Sequence, residues 1–282
     1  MTAPTAPSLR RESTDRARLW WEIGLVLAIS LGQSAIYSLL TLVRRFIVAA
    51  QQGQSLGSQQ TTLNPAQADQ VFWDILYQLL DIAFSLALVG MAIYLLWAPG
   101  HSPFRRIGLD FTRFGRDLGM GAILALCIGI PGLGLYAVGR ALGFTVAVVA
   151  GPLDPTWYAI PLLVLSAIRA GLLEEVIMIG YLFTRLRQLG WGPWTIIFTS
   201  AALRGAYHAY QGVGPIIGNF VLGVVFGWAY KKWGRVMPLV IAHSFLDIVS
   251  FVGYPLAAAW WPGIFGPMPA PTLTPTPTPT GS

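Results

Sequence analysis

Apolar runs long enough to cross a lipid bilayer recur through this chain, and they leave very few folds open to it. A hydrocarbon core of about 30 Å takes roughly 20 residues of helix, because lipid offers no partner to an unpaired backbone N–H or C=O. Seven segments meet that template: Trp20–Val43, Val71–Trp97, Leu118–Val138, Trp157–Leu186, Trp194–Tyr210, Ile216–Tyr230 and Val236–Ala259. Composition agrees, with 55% hydrophobic and only 11% charged residues and a mean hydropathy of +0.60, well outside soluble domains. The expected fold is all-α, a polytopic membrane helix bundle of about seven transmembrane helices, or eight with a re-entrant segment.

The basic residues set the expected topology. Arg10, Arg11, Arg16 and Arg18 precede the first segment; Arg105, Arg106, Arg113 and Arg116 follow the second; Arg185 and Arg187 follow the fourth; Lys231, Lys232 and Arg235 follow the sixth. With seven spans all four groups share one side, which the positive-inside rule makes the cytoplasm. The reading is an integral protein of the plasma membrane with a cytoplasmic N-terminus. Arg44 and Arg45 break the pattern. The first apolar run exceeds a signal-peptide core and lacks a small-residue cleavage site, so it reads as a retained helix. A net charge of +6 distributed in this way serves topology and excludes nucleic acid as a partner. A single cysteine, Cys127, rules out an intramolecular disulfide and a cysteine-based zinc site.

Several local signals refine the elements. Asp154-Pro155 and Gly192-Pro193 mark helix starts, since proline suits the first turn. Pro161 predicts a tilt or kink in the fourth segment, and the sixth is short for a full crossing. Gln51–Gln70 is polar and reads as a flexible loop; the Thr/Pro-rich Pro267–Ser282 reads as an extended tail. Gly223 and Gly227 form a G-x-x-x-G that permits close helix packing. Asp74 and Asp81 read as a polar face, and His101 as a solvated residue.

Against this apolar background, Glu174 and Glu175 stand side by side in the fourth segment. One carboxylate at mid-bilayer depth costs about 2.5–3.5 kcal/mol on insertion scales, so two adjacent ones point to function. They lie about 100° apart around a helix, and one can face a cavity while the other faces a neighbouring helix. Arg204 and His208, like His243 and Asp247, are four residues apart and share a helix face. Each imidazole thus has a local partner to orient it. One glutamate and two histidines from three helices suffice to hold a catalytic zinc with an open position. The same groups without metal can act as a glutamate general base with histidines polarising a carbonyl. Composition and spacing leave both routes open. Arg169 lies near the end of the buried part of the fourth segment.

Glu174-Glu175 followed by Gly180-Tyr181-Leu182-Phe183, a histidine on the next helix, and then His243-Ser-Phe-Leu-Asp247 resembles the CAAX protease and bacteriocin-processing (CPBP, or Abi) family of intramembrane proteases. The resemblance covers roughly Trp157 to Ala259. It implies endoproteolysis of a membrane-associated peptide or lipidated protein by glutamate-activated water, usually described as metal-dependent, with zinc the expected divalent ion. It makes Glu174 the base or metal ligand and Glu175 its supporting neighbour. His208 and His243 become ligands or carbonyl-polarising groups, and Asp247 an aid to the oxyanion. The chain then divides into a cytoplasmic segment (1–19), accessory helices and loops (20–150), a catalytic bundle (151–262) and the tail (263–282).

Two positions depart from the family pattern. Ile179 stands where the family carries arginine, and Arg204 where it carries phenylalanine. One guanidinium lost and one gained suggest that Arg204 reaches Glu175 from the neighbouring helix and supplies the missing charge. The alternatives are a noncatalytic binding or scaffold protein on the same fold, or a proton-coupled transporter using Glu174 and Asp247.

Overall fold

The computed structural model describes residues 7–150 and 158–260; the Pro267–Ser282 tail and the Asp154-Pro155 start signal lie outside them. Helices α1 (Pro7–Ala28) and α2 (Leu31–Gln52) are followed by strand β1 (Gln60–Leu63), α3 (Val71–Leu95), the short α4 (Pro103–Ile107), α5 (Phe114–Ala141) and strand β2 (Ala147–Ala150). Then come α6 (Ala159–Glu175), a π-helical segment (Val176–Tyr181), α7 (Leu182–Gln188), α8 (Pro193–Tyr207) and α9 (Val213–Trp233). Helix α10 (Met237–Ile248), a second π segment (Val249–Gly253) and α11 (Tyr254–Trp260) complete the described chain.

The protein is an all-α polytopic helix bundle. Among the described residues four helices are long and apolar enough to cross a membrane: Val71–Leu95, Phe114–Ala141, Val213–Trp233 and Met237–Leu256. The bent pair formed by α1 and α2 is a fifth if it counts as one span. The α6 to α7 and α8 segments, expected to be spans, fall outside that set. The first is divided by its π segment, and α8 has only 15 residues. Helix α9, with 21 residues, is a full-length span rather than the short one expected. Large apolar side chains face outward along the bundle, among them Phe84, Leu126, Ile130 and Leu133, as a surface solvated by lipid requires.

Three further expectations are revised. The run Trp20–Val43 is two helices meeting at 53°. Ser30 Oγ turns back to Val26 O at 2.5 Å, and a side chain on Gly32 would meet Leu27 O at 2.6 Å, so the break is built by a serine and a glycine. Pro161 causes no kink, because it sits in the first turn of α6, where no N–H is required. The polar stretch Gln51–Gln70 contains β1, paired in parallel with β2 from Gln60↔Ala147 to Leu63↔Ala150. Arg45 donates to Gln59 Oε1 at 3.2 Å and to Gln60 O at 3.3 Å, and Arg140 donates to Gly57 O at 2.5 Å. Arg45, an exception to the charge pattern, thus holds this loop in place.

Close packing of small residues places the polar motifs. A Cβ on Gly171 would lie 2.8 Å from Ser244 Oγ and 3.0 Å from Val240 O, which brings α6 against α10. On α9, a Cβ on Gly223 would lie 2.8 Å from Ala201 Cα, and one on Gly227 would lie 3.0 Å from Ile197 Cγ1. The G-x-x-x-G therefore packs α9 onto α8, as its spacing suggested. Asp74 is a local anchor, accepting Gln67 N–H at 2.7 Å and Gln78 Nε2–H at 2.8 Å. His101 is exposed, as expected.

Candidate active site

Glu174 and Glu175 end α6, immediately before the π segment. His243 and Asp247 occupy the corresponding place on α10, just ahead of the second π segment. A π turn widens the helix and rotates the residues beyond it, a device often found beside functional groups. All six residues of Val176–Tyr181 are buried, and Ser200 Oγ donates to Met178 O at 3.1 Å, satisfying one carbonyl of the altered ladder.

Glu175 is the centre of the buried network, with no exposed surface. Its Oε1 accepts from Arg204 Nη2 at 2.6 Å and faces His243 Nδ1 at 2.6 Å. Arg204 is itself only 1% exposed and lies over the Phe226 ring, 5.5 Å from its centroid. The expected reach of Arg204 to Glu175 is thus present, while Ile179 is 1% exposed in the apolar core. Two donors thus converge on one carboxylate oxygen, and the contact assigns the tautomer: Nδ1 of His243 carries the proton toward Glu175. Nε2 of His243 then faces Glu174 Oε2 at 3.9 Å and Asp247 Oδ2 at 3.6 Å.

Glu174 has a different setting. Its Oε2 accepts the Tyr207 hydroxyl at 2.6 Å and lies 3.5 Å from Arg204 Nη1, while no described side chain donates to Oε1. Its side chain is 13% exposed and that of Asp247 21%, against zero for Glu175. An incoming molecule therefore reaches Glu174 and Asp247 but not Glu175.

His208 stands at the C-cap of α8. Its Nδ1 is 3.0 Å from Arg204 O, and its ring packs 4.7 Å from that of Tyr207. The local partner that orients it is the Arg204 carbonyl rather than the guanidinium. The other candidate cation, Arg169, is engaged elsewhere, 3.5 Å from Asp81 Oδ2 and donating to Ser85 Oγ at 3.3 Å. Three carboxylates thus share one guanidinium at the site, leaving an excess of negative charge that favours a bound cation or an imidazolium.

Ligand atoms of Glu174, Glu175 and His243 lie within 4.8 Å of one another, close enough to hold a metal ion. This group shares Glu174 and His243 with the expected set of Glu174, His208 and His243 and adds Glu175; His208 has its Nδ1 bonded to the Arg204 carbonyl. The donors suit a divalent ion, because His243 offers Nε2 and Glu175 Oε2 is a buried oxygen with no hydrogen-bond partner. The Nδ1–Glu175 contact is also the carboxylate support that a metal-binding histidine ordinarily has.

Two contributors carried no motif. Tyr207 touches Glu174 directly, and its only sequence signal is a phenol beside His208 in an apolar helix. Ser38 of α2 donates to Tyr207 O at 2.7 Å, a link across 169 positions that no local pattern reveals.

With that geometry in place, comparison with known families adds one finding for the C-terminal bundle. A family model described as Rce1-like, type II CAAX prenyl endopeptidase Rce1-like, matches residues 156–249. That segment is similar to the CAAX protease family. The match takes in Glu174, Glu175, Arg204, Tyr207, His208, His243 and Asp247, and it supports an intramembrane endopeptidase. No curated protein and no solved structure matches the chain.

Proposed function

We propose that the protein hydrolyses a peptide bond near the C-terminus of a membrane-associated, prenylated substrate, with Glu174 as general base. The observation that carries this reading is the unequal setting of the two glutamates. Glu175 is buried and engaged through Oε1 by Arg204 and His243, whereas Glu174 has an Oε1 to which no described side chain donates, and partial access. Glu174 takes a proton from water, and the water oxygen bonds to the scissile carbonyl carbon as that carbon's π pair moves to oxygen. His243, held through Nδ1 by Glu175, presents Nε2–H to the resulting oxyanion when doubly protonated. Collapse of the tetrahedral centre breaks the C–N bond, and the proton on Glu174 passes to the leaving nitrogen.

A divalent ion, zinc foremost, would be held by Glu174, Glu175 and His243, and when bound it supplies Lewis acidity and a more acidic water. His208 and Asp247 border the same space, and we assign them to substrate carbonyl and leaving-group contacts. The cytoplasmic placement of the N-terminus and residence in the plasma membrane belong to this reading. The altered family motif gave weight to a noncatalytic scaffold; the Arg204–Glu175 pair weighs against it, because the missing family charge is restored in space.

The test uses purified protein in proteoliposomes and a quenched fluorogenic peptide ending in a farnesylated Cys-aliphatic-aliphatic-X sequence. Cleavage by the wild type, lost in a folded Glu174→Gln variant, is the expected result. Equal cleavage by the variant would overturn the assignment of the base.

A further inference from the structure

Helix α8 ends at Tyr207, so the Tyr207 carbonyl is one of the orphan acceptors that every helix C-terminus leaves. Here Ser38 Oγ donates to it at 2.7 Å, and Ser38 is itself only 6% exposed. The phenol at the other end of the same residue donates to Glu174 Oε2 at 2.6 Å. Tyr207 is 5% exposed, and its ring is packed against that of His208. Both ends of one rigid residue are thus fixed, one by an accessory helix and the other by the glutamate assigned as base.

We propose that Tyr207 is a positioning residue for Glu174, and that Ser38 of α2 is its latch, so that a helix outside the family-matched segment completes the active site. This rests on the protease reading given above. The hydroxyl occupies Oε2 and holds the carboxylate plane, which leaves Oε1 as the oxygen that meets water. Without the hydroxyl the carboxylate can swing toward Arg204 Nη1, a buried donor with no hydrogen-bond partner that already lies 3.5 Å from Oε2. Such a swing would carry the base away from the reacting water while leaving the substrate's binding surface intact, and small misplacements of this kind can cost on the order of a hundredfold in rate.

The experiment compares the full-length wild type, Tyr207→Phe and Ser38→Ala in proteoliposomes with the farnesylated fluorogenic peptide. The expected outcome is a kcat lowered about tenfold or more in Tyr207→Phe with KM within about twofold, and a smaller fall of the same kind in Ser38→Ala. An unchanged kcat in Tyr207→Phe, or a loss confined to KM, would overturn the proposal. A second readout needs no turnover: the melting temperatures of Tyr207→Phe, Glu174→Leu, which removes the accepting oxygens, and the double variant form a cycle. Non-additive shifts support the positioning bond even if the wild type cleaves nothing, in which case only the protease reading fails. Additive shifts count against the bond whatever the activity.

Discussion

Replacing Arg204 with methionine keeps most of the side-chain volume over Phe226 but removes the guanidinium that lies 2.6 Å from Glu175 Oε1. Arg204 and Glu175 are 1% and 0% exposed, so the carboxylate left behind cannot turn to water. Breaking a buried pair by removing one partner costs about 3–5 kcal/mol, chiefly the desolvation of the charge left uncompensated. His243 still faces Glu175 at 2.6 Å, which places the expected loss toward the lower end, about 3 kcal/mol. Glu175→Gln strands Arg204 in the same way, with Glu174 at 3.5 Å as its remaining partner. The double variant contains neither stranded charge, so it should be nearly as stable as either single one, with a coupling of at least about 2 kcal/mol. Unfolding in bicelles measures all four corners of the cycle. Losses that add to within about 0.5 kcal/mol would show that the two residues do not act as a pair and would refute the reasoning. Activity should follow: Arg204→Ala is expected to damage cleavage as much as Glu175→Ala, and near-normal turnover in the former would remove Arg204 from the site.

Other consequences follow from the same contacts. Gly171→Val would drive a branched side chain into the Val240 carbonyl and Ser244, where even a Cβ lies at 3.0 Å and 2.8 Å. Separation of α6 from α10 should then abolish cleavage and lower the melting temperature, whereas Gly132→Ala on α5, where nothing lies within 4 Å, should do neither. Outside the membrane, hydrogen bonds from the Thr112 hydroxyl and the Arg235 guanidinium hold the Asp110 carboxyl down from 3.8 to about 2. Because the folded value is depressed, this contribution is complete above about pH 4 and is lost as pH falls toward 2. Melting temperatures measured from pH 6 to pH 2 should fall more steeply in the wild type than in Asp110→Asn, and parallel curves would contradict the linkage.

The sequence made the costly residues legible because lipid penalises them. Glu174, Glu175, His243 and Asp247 stood out as ionisable groups in apolar helices, and the structure brings them together. The exchange of a guanidinium between positions 179 and 204 could be read as a contact before any coordinates, since a buried carboxylate requires a cation. Backbone irregularity was hidden. Nothing in Val176–Tyr181 or Val249–Gly253 departs from an ordinary apolar helix pattern, yet both are π turns. The break between α1 and α2 rests on Ser30 and Gly32, which hydropathy does not register. The β1–β2 pairing joins residues more than eighty positions apart, beyond any local signal. His208 carried a motif position, and its Nδ1 is held by the Arg204 carbonyl, while Tyr207 beside it, without a motif, donates to Glu174.

The central claim is that Glu174 delivers a water molecule to a peptide carbonyl. Incubating the proteoliposomes with the farnesylated peptide in ¹⁸O-labelled water and weighing the products by mass spectrometry tests it most directly. The account predicts one ¹⁸O in the new carboxylate of the wild-type product, and a rate reduced by about 10²–10⁴ in Glu174→Gln, the range for loss of a general base. Product without ¹⁸O, or label incorporated at the wild-type rate by Glu174→Gln, would contradict it.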